Sequence, residues 1–350
     1  MTDHSIPAFV LAIDVGGTKV EAALVDANGV VLTESRFRQP TGSLRTSREL
    51  ESQVQSVASD ALGMLPAGAA LSGIGVGSAG PIDVKRGLVS PVNLPVWRNY
   101  PLREVVNSAA ARAGHPIDAV LRLDGVCIAL AEHWVGAATN RKSVLGMIVS
   151  TGIGGGIITS GRIATGASGN AGHIGQIEVA GFLDAPNGCT LEEIASGPST
   201  VAWARSQGWN GATGEDLARD YAQGNALAIR AVARCASAIG RAIASVATLL
   251  DLEVVVVGGG FSRVTQDLFP LIRESVARHA LFDYVRRVEV LPSGLDADGP
   301  LIGVAALIWA GSGDDSIHQA QDNEKSRFGP CGKGQSITSQ PASDNSVERR

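Results

Sequence analysis

Asp14, Gly16, Gly17, Thr18 and Lys19 stand close together in the run Leu11–Leu24, LAIDVGGTKVEAAL. A carboxylate, two glycines, a hydroxyl and an ammonium in that order are the parts of a phosphate site. Glycines carry no Cβ, so backbone N–H groups at such a turn can approach a phosphate closely. Asp14 can hold Mg²⁺ through water, Thr18 can bond a phosphate oxygen, and Lys19 adds positive charge. The same residues also read as an ordinary β-hairpin closed by a Gly-Gly turn.

Two further glycine turns follow apolar strands. One holds Thr151, Gly152 and Gly154 and runs on to Gly156; the other is Gly258-Gly259-Gly260. Three such turns spaced along one chain fit a nucleotide held between two lobes. The first two would flank the phosphates, and the third would let backbone approach adenosine. The third also reads as a strand-to-helix connection with a glycine cap. Asp124 sits just past an apolar strand and just before a helix, a place suited to a carboxylate that takes a proton from an attacking hydroxyl. It reads equally as a helix N-cap.

The elements that must position these residues alternate strand and helix. Phe9 to Ile13, Val20 to Val25 and Gly29 to Glu34 read as a meander with a turn at Asp26-Ala27-Asn28-Gly29. Ser47 to Leu62 has helical spacing and ends before Gly63 and Pro66. Leu71 to Gly77 reads as a strand, Pro101 to Ala113 as a helix, Ala119 to Leu123 as a strand, and Val126 to Val135 as a helix. In the second half, the strand Ser143 to Ser150 leads into the glycine run and then a strand Ile157 to Thr159. Two strands joined by a glycine turn thus occur twice, which suggests a duplicated fold. Asn225 to Leu250 is an Ala-rich helix, Glu253 to Val257 a strand, and Val304 to Trp309 part of a last helix. From Gly313 to Arg350 large apolar residues are few, so this tail, with Cys331, is expected to be mostly disordered.

A chain of 350 residues is long for one core, so two domains are expected. The net charge of −5 and the absence of a basic block argue against nucleic acid or an anionic membrane as partner. No apolar run reaches the ~18–20 residues that span a bilayer. The start MTDHSIPAF has no basic region followed by an apolar one, so no secretion signal is expected. Cys127, Cys189, Cys235 and Cys331 are scattered, which fits a reducing cytoplasm.

The segments IDVGGTK, GIGVGSAGPIDVKRGLVSPVNLPVW, LDGVCIALAEHWVGA, STGIGGGIITSGRIATGASGNAGHIG, VVVVGGG and GPLIGVAAL stand in the order seen in ROK kinases. From Phe9 to Gly311 the chain resembles bacterial glucokinases and N-acetylmannosamine kinases of that family. The resemblance implies an α/β, two-lobed, actin-like (ribonuclease H-like) ATPase fold with a central cleft. Its lobes would be 1–124 plus 297–312, and 125–296. It implies ATP and Mg²⁺, a small polyol as phosphoryl acceptor, and a homodimer. Asp124 matches the family's catalytic base, and Asn93 lies where members line the sugar pocket. Some ROK members are repressors with a helix-turn-helix module before the kinase-like body, for which a first strand near Phe9 leaves no room.

The departures bear on the acceptor. The family usually reads Gly-Glu-Ile-Gly-His where this chain reads Gly172-His173-Ile174-Gly175-Gln176. His173 stands where a glutamate normally grips sugar hydroxyls, and Gln176 where a zinc-binding histidine normally stands. His173 also has a plain reading as a hydrogen-bonding residue of a glycine-rich loop. Of the family's zinc cysteines only Cys189 has a counterpart, so no structural zinc is expected and the loop Gly181 to Glu192 is expected to be mobile. Glu192 matches the sugar-binding glutamate, with Glu193 as the adjacent alternative. Leu123 replaces the usual Asn before the base. Such changes are intelligible in the C7-cyclitol 7-kinases of aminocyclitol antibiotic pathways, which phosphorylate the exocyclic hydroxymethyl of a carbocycle. A C7-cyclitol is the expected acceptor, with an ordinary hexose or acylated aminosugar as the runner-up.

Overall fold

The computed structural model describes residues 6–182, 184, 188–295 and 297–310. The expected disordered tail 313–350, with Cys331, lies outside the described residues, as do 311–312 and part of the loop expected to be mobile.

Two five-stranded sheets carry the fold, and both have the same strand order. In the first, β1 (Ala8–Val15) pairs antiparallel with β2 (Lys19–Asp26), which continues to β3 (Phe37–Pro40). Helix α1 (Ser47–Gly63) follows, starting in a reciprocal cap between Thr46 and Glu49. On its other side β1 runs parallel to β4 (Ala70–Ser78). The two-residue strands β5 (Ile82–Asp83) and β6 (Leu88–Val89) pair with each other, and α2 (Leu102–Arg112) leads to β7 (Ala119–Leu123), parallel to β4. The order is β3-β2-β1-β4-β7.

Helix α3 (Asp124–Trp134) crosses to the second sheet. There β8 (Val144–Val149), β9 (Ile153–Thr159) and β10 (Arg162–Ile163) form the antiparallel part. Four helices intervene: α4 (Leu191–Ala195), α5 (Gly197–Ser206), α6 (Gly214–Ala222) and α7 (Ala226–Leu250). Then β11 (Val254–Gly258), α8 (Leu268–His279), α9 (Asp283–Arg286) and β12 (Glu289–Pro292) complete the sheet in the order β10-β9-β8-β11-β12. Both strand pairs β8/β11 and β11/β12 are parallel. Helix α10 (Gly299–Trp309) returns to the core of the first sheet. The expected duplication is therefore present at the level of topology.

Two expectations are corrected. The third strand of the first meander does not run from Gly29 to Glu34. Ser35 accepts a hydrogen bond from the Leu24 N–H (2.8 Å) and donates one to the Leu32 carbonyl (2.7 Å), winding Thr33–Ser35 into a 3₁₀ turn. Pairing resumes only at Phe37. The glycine run 154–156 is not a turn either; it lies inside β9. Its glycines are there because α3 rests directly on that strand. A Cβ on Gly125 would stand 2.3 Å from the Gly155 carbonyl oxygen, and one on Gly156 would stand 2.5 Å from the Gly125 oxygen. Gly125→Ala is thus expected to destabilise the protein by ~1–3 kcal/mol or more through forced overpacking. Urea unfolding reads this, and an unchanged midpoint would refute the close contact.

Helix α7 is the one described helix long and apolar enough to cross a membrane. One face of it, including Val232, Ile239 and Ile243, is buried in the second core.

Candidate active site

The chain links β1 to β2 through Gly16, Gly17 and Thr18, with the Gly16 N–H donating to the Lys19 carbonyl (2.9 Å). It links β8 to β9 through Ser150, Thr151 and Gly152, with the Ser150 N–H donating to the Gly152 carbonyl (2.9 Å). These are the two expected glycine turns, at matching corners of the two sheets. Thr18 and Thr151 are both exposed at the tips. Gly17 owes its lack of a side chain to Asn93, whose Cβ would lie 2.8 Å from a Cβ there. Asn93 is itself exposed beside that turn.

Asp14 lies in the buried part of β1, one residue before its end, and is only 8 % exposed. Its cross-strand partner is Glu21. Burial, and then the charge of Asp124, push the Asp14 carboxyl up to about 7, with Lys19 opposing and Glu21 adding to the rise. Lys19 does not project freely toward a phosphate, as the sequence led one to expect. Its ammonium is paired with Glu21. Arg36 Nε (2.6 Å) and Arg38 Nη2 (2.8 Å) share the same carboxylate. Burial pushes Glu21 up, but hydrogen bonds from Arg36, Lys19 and Arg38 outweigh it and bring it to about 2.

Asp124 is the first residue of α3, and Leu123 occupies the N-cap position. The N-cap reading of Asp124 is therefore replaced. Its Oδ1 accepts the Gly125 N–H at 2.7 Å, while Oδ2 bonds no other described residue. Burial raises its carboxyl; the Gly125 bond and His173 pull it down, and Glu192 pushes it up, leaving it above the ordinary aspartate value. A partly buried carboxylate with one free oxygen and raised basicity can accept a proton from a hydroxyl.

His173, Gln176 and Glu192 gather beside Asp124. The His173 Nδ1 lies 2.9 Å from the Asn170 carbonyl oxygen. A carbonyl only accepts, so Nδ1 carries a proton in this bond and Nε2 is the ring's remaining hydrogen-bonding atom. That nitrogen faces Gly80, where a Cβ would stand 2.9 Å away. Asn170 is fixed in turn by two bonds to the Ile82 backbone (2.8 and 2.7 Å). Glu192 Oε2 accepts from the Ile153 N–H (2.7 Å) at the second hairpin, and Oε1 accepts from Gln176 Nε2 (3.3 Å). Glu193 is occupied elsewhere, in a capping box with Thr190.

A cavity of about 530 Å³ opens beside the second hairpin, lined among others by Thr151, Gly197, Thr213, Gly260, Phe261 and Val264. Its size suits a nucleoside. Of the third glycine turn only Gly260 lines it; Gly258 packs toward Ser293 and Gly259 toward the Val149 carbonyl. Gly197, Thr213 and Phe261 were missed in the sequence. The helix-start signatures Ser196-Gly197-Pro198 and Thr213-x-x-Asp216 could have marked two of these walls.

Among the described residues no three His, Cys, Asp or Glu side chains gather as a metal-ligand set. Cys189 is an exposed free thiol. Asp14, lifted first by burial and then by the charges of Asp124 and Glu21, fits a cation held mainly by water and phosphate oxygens, since such a cation would offset both the burial of its charge and that repulsion.

The chain is 28 % identical over 323 residues to the glucokinase of Thermotoga maritima, covering 85 % of this chain and 96 % of that one. It is 31 % identical over 313 residues to the N-acetylmannosamine kinase of Yersinia pseudotuberculosis serotype O:1b, covering 86 % and 97 %. Its fold superposes with a TM-score of 0.72 on a ROK family glucokinase from Streptomyces griseus in complex with glucose and AMPPNP, at 27 % identity, covering 87 % and 100 %. The actin-like ATPase architecture is therefore present. With a family model matching residues 10–310 as well, the chain belongs to the ROK family.

Proposed function

We propose that this chain is an ATP-dependent kinase of a sugar, acting on the primary hydroxyl of a hexose or N-acylaminosugar in the cytoplasm. The observation that carries this reading is the free Oδ2 of Asp124 lying between two matched hairpins and a cluster of acceptor-side groups. The similarity to glucokinases and N-acetylmannosamine kinases over most of the chain supports the choice of acceptor.

The acceptor hydroxyl gives its proton to Asp124 Oδ2 as its oxygen attacks the γ-phosphorus. The bond to the β-phosphate oxygen breaks and ADP leaves. Thr18, Thr151 and the amides at Gly17 and Gly152 hold the phosphates, Gly16, whose N–H closes the first turn, and Gly154 inside β9 leave room for their approach, and Lys19 adds its charge by leaving Glu21. Adenosine occupies the cavity beside Gly260, with Gly258 and Gly259 shaping that turn. Asn93, His173, Gln176 and Glu192 orient the acceptor. Asp14 would hold Mg²⁺ through water, and the ion would neutralise phosphate charge. The lobes 1–124 plus 297–312 and 125–296 close on the substrates and exclude water.

One observation favours a second acceptor class. The His173 Nε2 offers a single hydrogen-bonding atom where a carboxylate could bind vicinal hydroxyls twice. A C7-cyclitol, which lacks a ring oxygen and an anomeric hydroxyl, is that class. Coupled ADP release measured with glucose, N-acetylmannosamine, fructose and a valienone-type cyclitol decides. Turnover on glucose or N-acetylmannosamine at least tenfold above the cyclitol is expected, and the reverse order would establish the cyclitol instead.

A further inference from the structure

Away from the cleft, α7 presents Arg230, Arg234 and Arg241, which at intervals of four and seven residues fall on one side of the helix. Two aromatic rings alternate with them. Arg230 and Arg234 lie over Trp203 (5.7 and 5.1 Å), and Arg234 and Arg241 lie over Phe182 (5.1 and 5.4 Å). Arg234 is the central member, touching both rings, and its side chain is 9 % exposed. It also donates from Nη1 to the Ile194 carbonyl (3.1 Å) and from Nη2 to Asp184 (3.1 Å). Asp184 in turn accepts from the Trp203 indole N–H (2.8 Å). Arg241 Nη1 donates to the Ala180 carbonyl (3.1 Å).

These bonds converge on a single excursion of the chain. Val179 N–H donates to the Cys189 carbonyl (3.0 Å) and Leu191 N–H to the Ile177 carbonyl (2.9 Å), so the segment between returns to its own start. Gln176 precedes that base and Glu192 follows it. Ile194, held by Arg234, is two residues beyond Glu192 on the short helix α4, whose own five residues give it little independent rigidity.

We infer that Arg234, through this ladder of guanidinium and aromatic groups, is a positioning residue for the acceptor: it fixes α4 and the base of the excursion so that Glu192 and Gln176 keep their place at the second hairpin. The inference rests on the acceptor-side role given above to Glu192. Burying a cation between two rings and a carboxylate suits such a post, because a planar guanidinium can stack and donate at once whereas an ammonium cannot. None of Arg230, Arg234, Arg241, Phe182 and Trp203 lines the nucleotide cavity, although α5, which carries Trp203, also gives it Gly197, Pro198 and Val201, so the ATP KM is the control for the test.

The test compares wild type with Arg234→Met, Arg234→Lys and the milder Phe182→Leu. Arg234→Met is expected to raise the acceptor KM about tenfold, the loss of one charge-assisted contact, with the ATP KM within about twofold. Arg234→Lys is expected to restore only part of it. Hydrogen exchange supplies a readout independent of turnover: the Ile153 amide, bonded to Glu192 and not to Arg234, is expected to lose protection in Arg234→Met. If that variant does not fold, Phe182→Leu is read the same way with a smaller effect. A lower melting temperature with acceptor KM and Ile153 protection both unchanged would overturn the inference, as would an equal rise in both KM values. A wild type that transfers phosphate to none of the polyols, yet shows the exchange coupling, would sink the acceptor reading and leave the ladder standing.

Discussion

Asp124→Asn is expected to lower kcat by about 10²–10⁴-fold while the nucleotide still binds within about threefold of wild-type affinity. The amide keeps the size of the carboxylate and can keep the Oδ1 bond from the Gly125 N–H, so the start of α3 is preserved. What it cannot do is take the hydroxyl proton. A nucleotide titration beside steady-state turnover separates the two effects, and near-normal turnover would end the assignment of Asp124 as base. The variant has a second consequence. The Asp124 charge is the second-ranked cause of the raised Asp14 carboxyl, after burial, so Asp14 should titrate below about 7 once that charge is gone.

Asp14→Asn is expected to produce an inactive protein that is more stable than wild type in alkaline solution. The native carboxyl titrates near 7 against 3.8 for the free group. Between those values the folded protein binds a proton that the unfolded chain has already released, so wild-type stability falls as pH rises from about 4 to 7. Above that window the full cost of the buried charge is present, as much as ~4 kcal/mol. Asparagine carries no such cost. Urea unfolding at pH 8 should therefore favour the variant, and near pH 4 the two proteins should converge. Millimolar Mg²⁺ with ATP should stabilise wild type far more than Asp14→Asn. A wild type as stable at pH 8 as at pH 5, without ligands, would contradict the electrostatic account.

Much of this site was legible because its residue types are informative by themselves. Gly16-Gly17 and Thr151-Gly152 sit between apolar strands, and an aspartate at a strand-to-helix junction is readable as either cap or base. The structure removes the cap reading, because Leu123 takes the cap position. Residues 154–156 were illegible for a physical reason: a strand of glycines has no side-chain alternation, and its composition is explained only by a helix backbone lying against it. The pairing of Lys19 was illegible because its partner is found only through the register that sets Glu21 opposite Asp14 and brings Arg36 and Arg38 to the same carboxylate. The cavity beside the second hairpin drew on Gly197, Thr213 and Phe261, three segments far apart in sequence, which no local pattern joins. Ser35 decided the path of the first meander through its own hydrogen bonds, a contest between side chain and ladder that propensity does not resolve.

Glycine also meets α3 on its other flank. A Cβ on Gly303 of α10 would fall 1.8 Å from the Cys127 carbonyl oxygen, as one on Gly125 would collide with β9. Helices usually interlock through side-chain ridges, which resist rotation about the helix axis. At these two seats α3 meets its neighbours with glycine in place of a side chain, its own Gly125 against β9 and Gly303 of α10 against the Cys127 backbone. A contact between backbones has no rotamers to adjust, so the place of α3 is set there without side-chain slack. Asp124 opens that helix and inherits its position from both seats.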